Sequence, residues 1–219
     1  MASRRSLRRL AATVVVTVAA TASLAACGGT GDRAAPAPAP ASPGGTGAPG
    51  PSVSGQSANQ DPARFAPQVL EHAGRAKVDA QLLMAILYNE SYKPHDPALE
   101  RAWQRMKPDS AFGIANMHKA AFDDTKQGRD FANRSWDELP DDPDLAVEAA
   151  AWFLHDLAKG LPQQTSGPYT RDELLALGYN AGAGNMSAIA RGTKPGPQAQ
   201  SYLDRLRANW AKAGEAVKR

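Results

Sequence analysis

Between Leu82 and Ser91 the sequence runs LLMAILYNES, an apolar stretch that ends on a carboxylate. Leu83, Ile86, Leu87 and Glu90 stand at i, i+3, i+4 and i+7, the spacing of one helix face, so Glu90 continues the stripe that the leucines and isoleucine send into a core. A carboxyl group held against apolar side chains loses hydration of its charged form. Its pKa rises, and it keeps a proton to donate near neutral pH. That is the chemistry of a general acid. The competing reading is a glutamate at a fraying helix end, turned out into water.

A second set of residues can grip a ligand rather than react with it. Asn116 and Asn180 each offer a donor and an acceptor. Tyr179 offers an apolar ring face and a hydroxyl that can bond the acid. Gly113, Gly178, Gly182 and Gly184 allow backbone to approach a bulky ligand. Taken alone, the run from Gly178 to Gly184 is also an ordinary helix end, and no strand pattern precedes it to make it a phosphate-binding loop. His72, His95, His118 and His155 show no ligand spacing, so neither a metal site nor a cofactor is expected.

The elements that must position these groups are helical. Residues 61–219 contain four Val and three Ile, the remaining apolar content being Ala, Leu, Met and aromatics, which leaves little to build strands from. Phe65 to Arg75 reads as a first helix, and Asp79 caps the one that carries Glu90. Pro94 and Pro97 end that helix region, and Ala98 to Met106 is a short helix of its own. Asp142-Pro143 opens a long helix with Leu145, Ala149, Trp152, Phe153 and Leu157 on its buried face, closed by Gly160. Arg171 to Tyr179 makes another helix that ends in the glycine-rich turn. Ala199 to Ala213 makes the last, with Tyr202, Leu203, Leu206 and Trp210 on one side. One all-α domain is expected over residues 61–219.

The amino-terminal residues are of a different kind. Arg4, Arg5, Arg8 and Arg9 precede an apolar run from Leu10 to Leu24 and then Ala25-Ala26-Cys27, the layout of a secretory signal over residues 1–26. Leu24-Ala25-Ala26-Cys27 resembles a bacterial lipoprotein signal, which implies acylation of Cys27 and a stable hold on the outer face of the cytoplasmic membrane, facing the cell wall. Cys27 is the only cysteine, so no internal disulfide can form. Residues 27–60 are Pro, Ala, Gly, Ser and Thr with almost no large apolar side chain, the composition of an extended tether. The pI of about 9.1 belongs to the leader: without its four arginines, 21 Lys and Arg face 22 Asp and Glu. A balance so close to neutral gives no reason to expect a nucleic-acid partner.

Three stretches stand together in order: Asn89-Glu90-Ser91, Ala111-Phe112-Gly113-Ile114-Ala115-Asn116-Met117, and Leu177-Gly178-Tyr179-Asn180-Ala181-Gly182-Ala183-Gly184. They resemble the soluble lytic transglycosylase domain of the lysozyme-like superfamily, over roughly Phe65 to Trp210. The resemblance implies a lysozyme-like fold and peptidoglycan glycan strands as substrate. It makes Glu90 the catalytic residue, and Ser91, Gly113, Ile114, Asn116, Tyr179, Asn180, Ala181, Gly182 and Tyr202 substrate-binding residues. Three departures stand out. The 23 positions from Glu90 to Gly113 are several more than the family pattern has, and the surplus coincides with Glu100 to Met106. Asn116 stands where a Gln is usual and Ala115 where a Met is usual. The Glu-Thr pair expected before Tyr202 is missing.

Ordinary glycoside hydrolysis needs two carboxylates, and these motifs supply one. A lytic transglycosylase manages with one because the substrate's own muramoyl C6 hydroxyl attacks C1 and closes a 1,6-anhydro ring. A muramidase that uses water would need a second acid, for which Asp96, Glu100, Asp109, Asp123 and Asp124 are placed by sequence. A non-catalytic peptidoglycan-binding lipoprotein is the reading from a different class.

Overall fold

The computed structural model describes residues 61–92 and 95–218. The expected signal over 1–26, the tether over 27–60, the acylation site Cys27 and the helix stop at Pro94 lie outside the described residues. After a single 3-10 turn, Pro62–Phe65, the described residues form seven α-helices: α1 (Ala66–Ala76), α2 (Ala80–Glu90), α3 (Pro97–Met106), α4 (Lys119–Thr125), α5 (Pro143–Gly160), α6 (Arg171–Ala190) and α7 (Pro197–Ala216). A second 3-10 turn, Trp136–Glu138, precedes α5. Among the described residues there is no strand, only an isolated antiparallel bridge between Phe112 and Met117. No helix of these residues is long and apolar enough to cross a membrane.

Helix α2 is the axis of the domain. Asp79 caps it, its carboxylate accepting from the backbone N–H of Gln81 at 2.6 Å and of Leu82 at 3.1 Å. The sequence marks one inward stripe, Leu83, Ile86, Leu87 and Glu90, but every residue from Leu82 to Glu90 is buried. The reason is packing on several sides: α7 lies along α2, α1 covers another flank, and α6 touches a third. Burying Leu82, Leu83, Ile86 and Leu87 removes from water side chains worth roughly 1.5–3 kcal/mol each.

Asn89, buried, fixes α2 to α7 by polar contacts. Its side-chain amide donates to the carbonyl of Tyr202 at 3.0 Å, and its Oδ1 accepts from Asn209 at 2.9 Å. Tyr202, Leu203 and Leu206 are buried as expected, and Trp210 is half-buried.

Two expectations change. Gly160 does not close α5 by a left-handed turn; it belongs to the last turn, and the chain leaves through Leu161 in extended conformation (φ −75°, ψ 130°). On the same helix Asp142 caps as expected, whereas Trp152 and Phe153 are only half-buried. Helix α6 is broken where the glycine-rich turn is expected: Gly182 stands at φ 85°, ψ 160°, outside helical geometry and strained for an L side chain, and a second helical segment follows to Ala190. Pro97 opens α3 behind its cap Asp96. The inward residue of α3 is Glu100, while Leu99, Trp103 and Met106 face solvent.

Candidate active site

The last turn of α2 brings Glu90 to the floor of a cavity of about 290 Å³, shared with Tyr92, Asn116, His118, Tyr179, Asn180, Tyr202 and Arg205, among others. Only 8% of Glu90 is exposed. The phenol of Tyr202 donates to its Oε1 at 3.0 Å, and the amide of Asn116 donates to Oε2 at 3.0 Å and to the Glu90 carbonyl at 3.3 Å. Burial pushes the Glu90 carboxyl above the usual range. The hydrogen bonds from Asn116 and Tyr202 and the charges of Arg205 and His95 pull the other way without cancelling it. Burial, then the nearby Glu90 charge, hold the Tyr202 phenol well above its ordinary value, so it remains a donor at neutral pH.

Asn116 reaches the acid because of the turn that carries it. Phe112 and Met117 exchange backbone hydrogen bonds at 3.1 and 3.0 Å, and Asn116 N–H closes the turn on Gly113 carbonyl at 2.9 Å. Asn116 sits at φ 47°, a left-handed conformation that asparagine tolerates. Below the turn, Trp136 stacks on Phe112 with ring centres 4.0 Å apart and donates its indole N–H to Met117 carbonyl at 2.7 Å. The turn is therefore a rigid shelf, and its amide is aimed before any ligand arrives.

The remaining expected residues take varied places. The Tyr179 hydroxyl does not bond the acid: it donates to Ala115 carbonyl at 2.7 Å, holding the shelf to α6, while its ring packs on Phe153. Tyr202 has the role read for Tyr179. The Ser91 hydroxyl donates to the Tyr88 carbonyl at 2.9 Å at the end of α2. Gly113 is buried and closes on protein: a Cβ there would meet Leu139 carbonyl at 2.7 Å, and φ is 72°. Ile114 packs half-buried against the core. Asn180 lines the acid's cavity and, with Ala181, a neighbouring groove of about 1010 Å³. Gly178 serves packing, since a Cβ would lie 2.8 Å from Met186 Sδ, and Gly182 serves the break in α6.

Glu90 is the one carboxylate among the described residues lining its cavity. Asp96 caps α3. Glu100 accepts from Gly113 N–H at 2.8 Å and contacts His95 Nδ1 at 2.9 Å. Asp123 pairs with Lys119 and Lys126, Asp109 lines an adjoining groove, and Asp124 is exposed.

Sequence reasoning missed Arg205, Tyr92 and His118. A signal existed for two of them: Arg205 follows Tyr202 by three positions on one helix, and His118 follows Asn116 by two.

A family model described as the transglycosylase SLT domain matches residues 68–200. Glu90, Asn116 and Tyr179 fall inside that span, whereas Tyr202 and Arg205 lie just beyond its end. No curated protein matches the chain.

Proposed function

We propose that this chain, which belongs to the transglycosylase SLT domain family, cleaves the β-1,4 bond from N-acetylmuramic acid to N-acetylglucosamine with Glu90 alone as acid and base. Members of that family are peptidoglycan lytic transglycosylases of lysozyme-like fold, and glycan cleavage in peptidoglycan is the chain's activity at that level. The observation that carries the finer reading is the single carboxylate in the cavity, shielded from water and held by two neutral donors.

In the proposed sequence, protonated Glu90 gives its proton to the glycosidic oxygen as the bond to C1 breaks. The departing N-acetylglucosamine unit keeps that proton as its new hydroxyl. Tyr202 and Asn116 stabilise the carboxylate left behind. That carboxylate takes the proton of the muramoyl C6 hydroxyl while O6 bonds to C1, closing the anhydro ring and restoring the acid. No water is consumed. The acetamido carbonyl can share the charge developing at C1, the substrate-assisted variant of two-carboxylate chemistry.

We place the enzyme outside the cytoplasm on the basis of the leader: export through residues 1–26, a lipid on Cys27, and a tether to Gln60 that lets the domain reach the wall.

Mass spectrometry of fragments released from peptidoglycan by the purified full-length chain tests this, beside Glu90→Gln. The expected result is anhydromuramoyl ends from the wild type and about a 10³-fold slower release from the variant. Reducing ends would instead assign a muramidase, and wall binding without new ends a binding module.

A further inference from the structure

The four exposed large apolar side chains of the described residues all fall between positions 92 and 106: Tyr92 (71%), Leu99 (63%), Trp103 (49%) and Met106 (69%). Leu99, Trp103 and Met106 stand at i, i+4 and i+7, so α3 turns an apolar face outward and sends Glu100 inward. Isolated apolar side chains on a surface need no explanation, but a contiguous set does. Tyr92, Trp103 and Met106 wall a groove of about 510 Å³, joined by Lys107, Asp109, Ser110 and others. Tyr92, Ala111, Asn116 and His118 line both this groove and the Glu90 cavity, so the two adjoin along a shared wall.

Resting on the transglycosylase reading, we propose that Trp103, with Tyr92 and Met106, is a platform for an N-acetylhexosamine of the glycan strand beyond the two sugars being cleaved. The chemistry of the wall fits a pyranose. Aromatic faces take the C–H side of a sugar ring. The polar groups interleaved with them, Asp109, Ser110, Lys107 and His118, suit hydroxyl and acetamido groups. Ser110 Oγ and Asn116 Oδ1 lie at this wall, shut off from solvent and without a hydrogen bond within the protein. Lys107 lies 5.0 Å from the Trp103 ring centre and steadies the indole.

The platform is anchored for the purpose. Glu100, one position from Leu99 and three from Trp103, is 6% exposed and fastens α3 to the catalytic shelf through Gly113 N–H. An indole held on the same rigid frame as Asn116 keeps a fixed distance from the acid, as a subsite requires.

The test gives peptide-free glycan strands of increasing length to the full-length wild type, Trp103→Ala and Trp103→Phe in detergent, and reads KM and kcat at each length. The expected outcome is a KM loss in Trp103→Ala that grows with length, from under twofold on the shortest strand cleaved to about tenfold on long ones. Trp103→Phe should recover most of it. Equal loss at every length, or no loss, overturns the platform. Binding of the same strands to Glu90→Gln, with and without Trp103→Ala, separates this from the catalytic reading. A length-dependent affinity that vanishes with Trp103 supports the platform even where the wild type releases nothing. Loss of affinity for phosphatidylglycerol vesicles in Trp103→Ala, with strand binding unchanged, overturns it in favour of a lipid surface.

Discussion

Two glutamates ten positions apart are buried to nearly the same degree, Glu90 at 8% and Glu100 at 6% exposure, and their surroundings differ in kind. Glu100 spends its oxygens on structure: one on the Gly113 N–H, the other on His95 Nδ1. Glu90 accepts from a phenol and an amide, and its cavity adjoins a groove on either side. Burial alone therefore does not single out the proposed acid. Neutral donors and an open face toward a ligand do, and a second glutamate, on α3, supplies the contrast at the same turn.

Paired isosteres break or sharpen the contrast most strongly. Glu90→Gln keeps one acceptor oxygen for Asn116, its NH2 can donate to the Tyr202 hydroxyl in a reversed contact, and it has no carboxylic proton to give, so turnover should fall about 10³-fold with no drop in melting temperature. Glu100→Gln keeps an acceptor for Gly113 N–H and loses a charge-assisted contact, so it should cost about 1 kcal/mol and a few degrees of melting temperature. Its turnover should stay within about tenfold of wild type. Fragment release and thermal melts on the two variants check both arms. Equal loss of turnover in both would remove the distinction drawn between acid and brace.

A smaller effect is expected at Tyr202. Its hydroxyl stabilises the ionised form of Glu90, so Tyr202→Phe should raise the carboxyl further. The limb of the rate profile on which Glu90 must be protonated then moves to higher pH, and turnover falls about tenfold as the carboxylate loses an orienting contact. A pH profile of kcat/KM reads both. An unmoved limb would mean that Tyr202 serves packing alone.

The parts of this site legible in the sequence were those set by local spacing. Glu90 pointing inward followed from Leu83, Ile86 and Leu87, and the caps Asp79 and Asp142 followed from their place before apolar runs. What escaped was set by contacts far apart in the chain. Tyr202 meets Glu90 across 112 positions, so nothing near either residue favoured it over Tyr179, whose hydroxyl is engaged 64 positions away by the Ala115 carbonyl. The glycines misled for a related reason. Gly113 and Gly178 look like openings for a ligand, but the neighbours that exclude a Cβ are Leu139 and Met186. The run through Gly182 reads as a helix end, and Gly182 does leave helical geometry at positive φ; the second helical segment that follows to Ala190 is what local spacing did not show.

The smallest expected effect concerns what the acid costs the fold. Burial raises the Glu90 carboxyl above its ordinary value of 4.5, so the folded chain holds this proton more tightly than the unfolded one. Its stabilising contribution is complete below the unfolded pKa and is lost as pH rises through the folded pKa. Above that window an ionised, desolvated carboxylate with only neutral donors in contact weighs against folding. Glu90→Gln has no such ionisation. The melting temperature of Glu90→Gln relative to wild type should therefore climb from near zero at acid pH to a few degrees at pH 8. A flat difference for Glu90→Gln across this range would mean that the carboxyl is already solvated at rest, and the proton required for glycosidic cleavage would then have to come from elsewhere.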